Sequence, residues 1–179
     1  LRPVLRPGYE SQKRWREIVE EMPEETRRRI LALVCDSFAG SGGLAKTYGW
    51  ILQRCQAHLL LRLSTLCGDN KRVVSWREVL QEIQRLMHAL MKTRSEQKTS
   101  EIADELFLLG QDARCPARLR HIVKRTLRTL HEYRACYRYP ELRLPATTNA
   151  LENTNGRIRS LLNRSRGCRT PDSLLRWIT

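Results

Sequence analysis

The feature that most constrains the fold is an unbroken run of six apolar residues, 30–35, that ends in Asp36. A stretch of serines, glycines, one alanine and Phe38 follows the aspartate at positions 37–43. Six consecutive apolar residues bounded by a turn predict a fully buried strand of a parallel or mixed sheet, with a loop after it. A second strand is expected at residues 49–55. The sequence therefore indicates an α/β core.

Helical periodicity dominates the middle of the chain. Apolar residues recur every three or four positions across residues 76–92, which predicts a helix with Ser75 as its N-cap. A shorter helix is expected at residues 100–109, and Pro116 begins a long one whose apolar stripe runs as far as Leu130.

These patterns divide the chain into three parts. No strand pattern interrupts residues 67–140, so an all-helical insertion is expected there, between two parts of the core at 1–66 and 141–179. In the last part, Thr148 can cap one helix, and Thr170 precedes a Pro-Asp start of another. The predicted fold is α/β and helix-rich overall.

Charge points to a polyanionic partner. The 179 residues contain 33 Lys and Arg against 19 Asp and Glu, a net charge of +14, and from Arg114 onward there are fifteen basic and four acidic residues. Such a surface favours nucleic acid, because neutralising phosphates releases counterions; a generally solvated basic surface is the alternative. The sequence has no apolar run long enough for a membrane span and no secretory signal at its start, which predicts a soluble intracellular protein.

Two carboxylates have settings suited to metal-dependent chemistry. Asp36 follows a predicted strand, and ligands bind at the carboxyl ends of strands in open α/β sheets. Glu152 falls in the first turn of a predicted helix, where the helix dipole favours its ionised form. Both residues also have ordinary interpretations, Asp36 as a turn former and Glu152 as part of a capping arrangement with Asn149 and Asn153.

A cysteine and a histidine stand three residues apart, at Cys55 and His58. This spacing can place sulfur and imidazole on one helical face, but a structural zinc site needs four ligands and the sequence has no second close pair. The six cysteines are scattered, which predicts free thiols in a reducing compartment. Between Glu152 and Asp172 there are five arginines and no acid, a pattern that suits phosphate contact unless it is only a solvated face.

Read in order, Asp36, the C-x-x-H box and the TTN-x-x-E-x-x-N stretch at 147–155 resemble the catalytic domain of mutator-type DDE transposases, which bacterial insertion sequences encode. The similarity extends over roughly residues 31–177, and Arg164 begins a segment similar to the family's R-x-x-R-G element. The resemblance implies a ribonuclease-H-like core, truncated on its N-terminal side, that carries the helical insertion. It also implies metal-dependent DNA cleavage followed by strand transfer.

The resemblance assigns roles to individual residues. Asp36 and Glu152 would be catalytic ligands for two Mg²⁺ or Mn²⁺ ions. His58 would be catalytic by orienting substrate or a carboxylate, and Cys55 would support His58. The partners would be transposon ends and target DNA, and the protein would be able to form a homo-oligomer. Its location would be the bacterial cytoplasm, near the nucleoid. The residues expected to bind DNA are Asn149, Asn155, Arg157, Arg159, Arg164, Arg166 and Arg169.

One catalytic residue of the family has no counterpart. The family uses Asp, Asp and Glu, and Asp36, 19 residues before Cys55, corresponds to the second Asp. No aspartate precedes it, so we expect the chain to be a fragment whose first metal ligand lies upstream or has been lost. Two alternatives remain open, a basic helical DNA-binding module without catalysis and another ribonuclease-H-like nuclease such as a resolvase.

Overall fold

The computed structural model describes residues 11–36, 38–69 and 76–164. Helices predominate, and the described residues form two short strands. In chain order the elements are α1 (Gln12–Glu20), α2 (Glu24–Arg28), β1 (Ala32–Cys35), α3 (Ser41–Tyr48), β2 (Ile51–Arg54), α4 (Gln56–Asp69), α5 (Arg77–Lys92), α6 (Glu96–Gln111), α7 (Ala117–Arg128), α8 (Leu130–Tyr133), α9 (Ala135–Arg138), a 3₁₀ turn (Pro140–Leu142) and α10 (Asn149–Arg164).

The two strands pair in parallel, as the sequence predicts. Ala32 lies opposite Ile51 at one end of the ladder, and Cys35 lies opposite Arg54 at the other. The connection between them contains α3, where the sequence predicts only a loop. Gly49 ends α3 with a left-handed φ of 68°, a conformation that glycine adopts without steric cost, and turns the chain into β2. A helix-rich α/β fold with a small parallel sheet is thus confirmed.

The main hydrophobic core lies among α4, α5, α6 and α7. The predicted apolar stripe of α5 is confirmed, because all seven of its members are buried: Val79, Leu80, Ile83, Leu86, Met87, Leu90 and Met91. In the described part of residues 76–139 there is no strand, which agrees with the predicted helical character. Ser75 and the predicted helix at residues 170–172 lie outside the described residues.

Two helices differ from their predicted bounds. Helix α6 begins at Glu96, four residues earlier than expected, because the Ser95 side chain accepts a hydrogen bond from the Lys98 N–H and caps it. The helix after Pro116 ends at Arg128, and Thr129 adopts φ −111° and ψ 23°, which separates α7 from α8. The predicted stripe to Leu130 therefore spans two helices.

Buried polar contacts join the sheet to α8 and α9. The Gln53 side chain donates to the Tyr133 carbonyl at 3.0 Å and accepts from the Cys136 N–H at 2.7 Å. Arg54 forms an ion pair with Glu132 in which both side chains are largely buried. Among the described helices, none combines the length and apolarity needed to cross a membrane.

Candidate active site

Backbone hydrogen bonds bring the segment before α10 against the end of β2. The Cys55 N–H donates to the Cys35 carbonyl at 2.8 Å and extends the ladder by one step. The next residue, Gln56, donates its N–H to the Ala146 carbonyl at 2.9 Å, and the Thr148 N–H donates to the Cys55 sulfur at 3.3 Å. The start of α10 is therefore fixed beside the carboxyl end of the sheet.

Asp36 lies directly after β1, at the same end of the sheet. Its side chain is exposed, and Oδ1 accepts a hydrogen bond from the Phe38 N–H at 3.2 Å. This contact is the local turn that an aspartate commonly forms. It occupies one carboxylate oxygen and leaves the group accessible from the crevice.

Glu152 is in the first turn of α10, as predicted. Its N–H donates to the Thr148 carbonyl, and its Oε1 accepts a 2.5 Å hydrogen bond from the Thr148 hydroxyl. The same oxygen lies 3.5 Å from His58 Nδ1. Thr148 thus orients the carboxylate toward the histidine of the C-x-x-H box.

The predicted catalytic residues line one crevice. A cavity of about 450 Å³ is bounded by Asp36, His58, Thr148, Glu152 and Asn155 together with apolar residues of β1. The sequence therefore identified side chains from three separate segments that the fold brings together.

A second cavity of about 760 Å³ shares Asp36, Phe38 and His58 with the first. It adds two basic side chains, Arg62 of α4 and Arg118 of α7. Neither arginine was singled out by the sequence analysis, because no local pattern links α4 or α7 to Asp36, and only the fold brings these arginines to the same cavity.

Cys55 and His58 alter each other's protonation. Burial raises the pKa of the Cys55 thiol, but hydrogen bonds from Thr148 and His58 outweigh it, so the pKa is lowered overall. The Cys55 sulfur, which accepts a hydrogen bond from the imidazolium form, raises the pKa of His58; burial opposes this, and the negative charges of Cys55, Glu152 and Asp36 add to it. Both shifts favour a thiolate beside an imidazolium.

This pair is not arranged for nucleophilic attack on an external substrate. Cys55 has no exposed surface, whereas a nucleophile must reach the reacting atom. His58 and Glu152 are partly exposed, at 36% and 48% of their side-chain surface. Chemistry on a large substrate is therefore available to the carboxylates and the imidazole and not to the sulfur.

The structure describes the side chains of only some of the predicted DNA-binding residues. Asn149, Asn155 and Arg157 are exposed on α10, and Asn155 lines the crevice. Arg159 and Arg164 belong to the same helix, but their side chains lie outside the described parts of the structure. Arg166 and Arg169 lie outside the described residues altogether.

Helix α7 presents a basic face that the sequence analysis missed. Its six exposed basic or imidazole side chains are Arg118, Arg120, His121, Lys124, Arg125 and Arg128, and the helix contains no acid. Within the described residues none of them forms an ion pair. The signal was present in the sequence as an acid-free helical run.

Arg118, in the first turn of this helix, lines the second cavity. Arg118, His121, Arg125 and Arg128 follow the three-and-four spacing of one helix face. Ten residues of helix span about 15 Å. Over the same length of DNA helix axis, one strand carries about four phosphates.

Comparisons with protein families, with curated proteins and with solved structures give no match to this chain.

Proposed function

We propose that the chain belongs to the catalytic domain of a DDE-type DNA transposase, built on a ribonuclease-H-like core. The observation that carries the proposal is the convergence of Asp36 and Glu152 on one crevice with His58. The two carboxylates come from opposite ends of the described chain, one after a strand and one from a late helix. A site for phosphodiester chemistry needs carboxylates from different elements, because paired metal ions bind between them.

The donor set suits Mg²⁺ or Mn²⁺, which prefer carboxylate oxygens, so Asp36 and Glu152 would hold the ions. Such ions activate the attacking oxygen and stabilise charge at the phosphate when bound. Glu152 lies in the first turn of α10, and His58 lies close enough to orient its carboxylate. Residues 1–35 provide no aspartate, so full activity requires a further ligand beyond these two.

The basic side chains around the crevice are suited to the DNA backbone. Arg62 and Arg118 line the second cavity together with Asp36, and the exposed face of α7 extends from Arg118. Guanidinium groups bind phosphate oxygens in a planar, bidentate geometry. DNA held along α7 would place a phosphate near the carboxylates, while Arg157 and the asparagines of α10 contact the strand on the other side of the proposed site.

The proposal is tested by Mn²⁺ binding to the chain in the presence of a short DNA duplex, measured by electron paramagnetic resonance. Asp36→Asn and Glu152→Gln should each weaken Mn²⁺ binding at least about tenfold, because each removes a charged oxygen ligand. Asp104→Asn is the matched control, since Asp104 is an exposed aspartate of α6 outside the crevice. It should bind Mn²⁺ as the unaltered chain does.

If Asp36→Asn and Glu152→Gln both bind Mn²⁺ as tightly as the unaltered chain, the proposal that the protein is a metal-dependent enzyme is wrong. A basic DNA-binding module is the second candidate, and it is favoured by the hydrogen bond from the Phe38 N–H to Asp36, which is the contact of a purely structural aspartate. In that case DNA affinity should be the same in Asp36→Asn as in the unaltered chain.

Reaction products separate a transposase from a resolvase-type nuclease. Strand transfer joins the 3′ end of one DNA to another, whereas hydrolysis leaves cut ends that are not joined. Incubating the intact protein with labelled end DNA and an unlabelled plasmid should transfer label to the plasmid. Label that remains only in short cleavage products would point to the nuclease.

A further inference from the structure

Three ligand types for a soft metal ion converge next to the crevice. The Cys55 sulfur, a His58 ring nitrogen and a Glu152 carboxylate oxygen all lie within 4.8 Å of one another. Cys55 directly precedes α4, His58 is in the first turn of that helix, and Glu152 comes from α10. The cluster therefore combines one local pair with one distant carboxylate.

One ligand distance already matches a tetrahedral ion, and no ligand pair is more than 4.8 Å apart. Metal–ligand bonds of zinc with sulfur, nitrogen and oxygen place neighbouring ligand atoms about 3.3–3.7 Å apart. His58 Nδ1 and Glu152 Oε1 are already 3.5 Å apart. Nδ1 is also buried and makes no hydrogen bond of good geometry within the described structure, so a cation between it and the carboxylate would satisfy both atoms.

Neighbouring groups hold two of the three ligands in place. The Thr148 N–H donates to the Cys55 sulfur, and the Thr148 hydroxyl donates to Glu152 Oε1. Hydrogen bonds of this kind orient metal ligands and stabilise a thiolate. Since His58 and Glu152 reach the surface, an ion can enter from the crevice and keep its fourth coordination position open there.

We propose that Cys55, His58 and Glu152 bind one thiophilic divalent cation, of which Zn²⁺ is the chemically matched example. Thiolate and imidazole select zinc over Mg²⁺, which prefers oxygen, so this ion differs from those assigned to the two carboxylates. The proton that the Cys55–His58 pair holds passes to solvent when the ion binds. Where the transposase proposal holds, a zinc ion withdraws Glu152 from Asp36, and zinc inhibits DNA cleavage.

The experiment is a Co²⁺ titration of the reduced chain without oxygen, followed by absorption. The unaltered chain should develop a thiolate-to-cobalt charge-transfer band that saturates at one ion and disappears when Zn²⁺ is added. Cys55→Ser should lose the band, whereas Cys136→Ser, a partly buried thiol outside the cluster, should keep it. Glu152→Gln should weaken Co²⁺ binding by about tenfold or more.

Because Cys55 is fully buried, its variant is checked for folding by circular dichroism, and Glu152→Gln, at an exposed position, serves as the independent variant. A missing band in the unaltered chain, a band that persists in Cys55→Ser, or Co²⁺ affinity unchanged in Glu152→Gln would each overturn the proposal. Asp36→Asn separates the two proposals. Asp36 is not one of the three cobalt ligands, so this variant should keep the cobalt band whether or not it loses Mn²⁺ affinity.

Discussion

Arg134 is a buried guanidinium that ties α9 to the C-terminal end of α5. Its side chain is 6% exposed, and Nη1 donates to the carbonyls of Leu90 and Thr93 at 2.8 Å each. The guanidinium also lies over the ring of Tyr137, with 5.2 Å to the ring centroid. Carbonyls at a helix C-terminus have no partner within the helix, so these bonds satisfy groups that burial would otherwise leave unpaired.

Replacing Arg134 by Met should lower the free energy of unfolding by about 2–4 kcal/mol, because buried carbonyls lose charge-assisted hydrogen bonds. Urea unfolding followed by circular dichroism measures the change. Arg138→Met is the matched control, since Arg138 is exposed at the end of α9, the short helix that Arg134 precedes. It should change stability by less than about 0.5 kcal/mol. Equal losses in the two variants would mean that the buried bonds contribute nothing specific.

At the scale of elements, α7 has one buried face and one basic face. Leu119, Ile122 and Val123 pack in the core, while the opposite side carries exposed basic side chains that form no ion pair with an acid of the described residues. Burial of the apolar face fixes the rotation of the helix about its axis. The basic side chains are therefore held in a fixed row, which is what contact with a regularly spaced backbone requires.

Changing Arg118 and Arg125 together to Gln should weaken binding to DNA duplexes of unrelated sequence to a similar extent. Each lost phosphate contact should reduce the salt dependence of log K by about 0.9. Fluorescence anisotropy at several salt concentrations measures both effects. Arg77→Gln with Lys98→Gln removes the same charge from exposed positions on α5 and α6. If that control loses as much affinity, the effect reflects net charge and not the α7 face.

The elements that the sequence predicts well are those whose pattern is local. Helix α5 repeats its apolar positions over four turns, and β1 is a single apolar run, so each pattern indicates its element type. The prediction that β1 is fully buried is wrong, because all four of its residues are only partly buried. Helix α3 was missed because Gly42 and Gly43 in its first turn are typical of a loop. It forms because packing of Leu44 and Ala45, both buried, offsets the poor helix propensity of those glycines.

The candidate site shows the same division between local and tertiary information. Asp36 and Glu152 could be identified from a strand end and a helix start, and Cys55 and His58 from their spacing. Their meeting depends on the Thr148 N–H bonding to the Cys55 sulfur, a contact across 93 positions that no local pattern encodes. The same applies to Arg118, which lines a cavity with Asp36 because α7 packs against α4.

At the scale of the whole molecule, one buried polar cluster connects the sheet to the helical part. Gln53 and Gln56 both donate to the Tyr133 carbonyl, and Gln53 also accepts from the Cys136 N–H. The adjacent ion pair between Arg54 and Glu132 adds to the cluster. These contacts make the strands and the helices unfold together, because neither part can separate without leaving buried polar groups unpaired.

Replacing Gln53 by Leu should therefore uncouple the two parts. The Cys136 N–H would lose its acceptor, at a cost of about 1–3 kcal/mol, and the loss should fall on the sheet more than on the helical core, whose packing is unchanged. Hydrogen exchange measured by mass spectrometry should show faster exchange in β1 and β2 and little change in α5. Gln97→Leu, at an exposed position on α6, should leave both regions unaffected. Equal acceleration in β2 and α5 would instead mean that the molecule remains one cooperative unit that Gln53 stabilises as a whole.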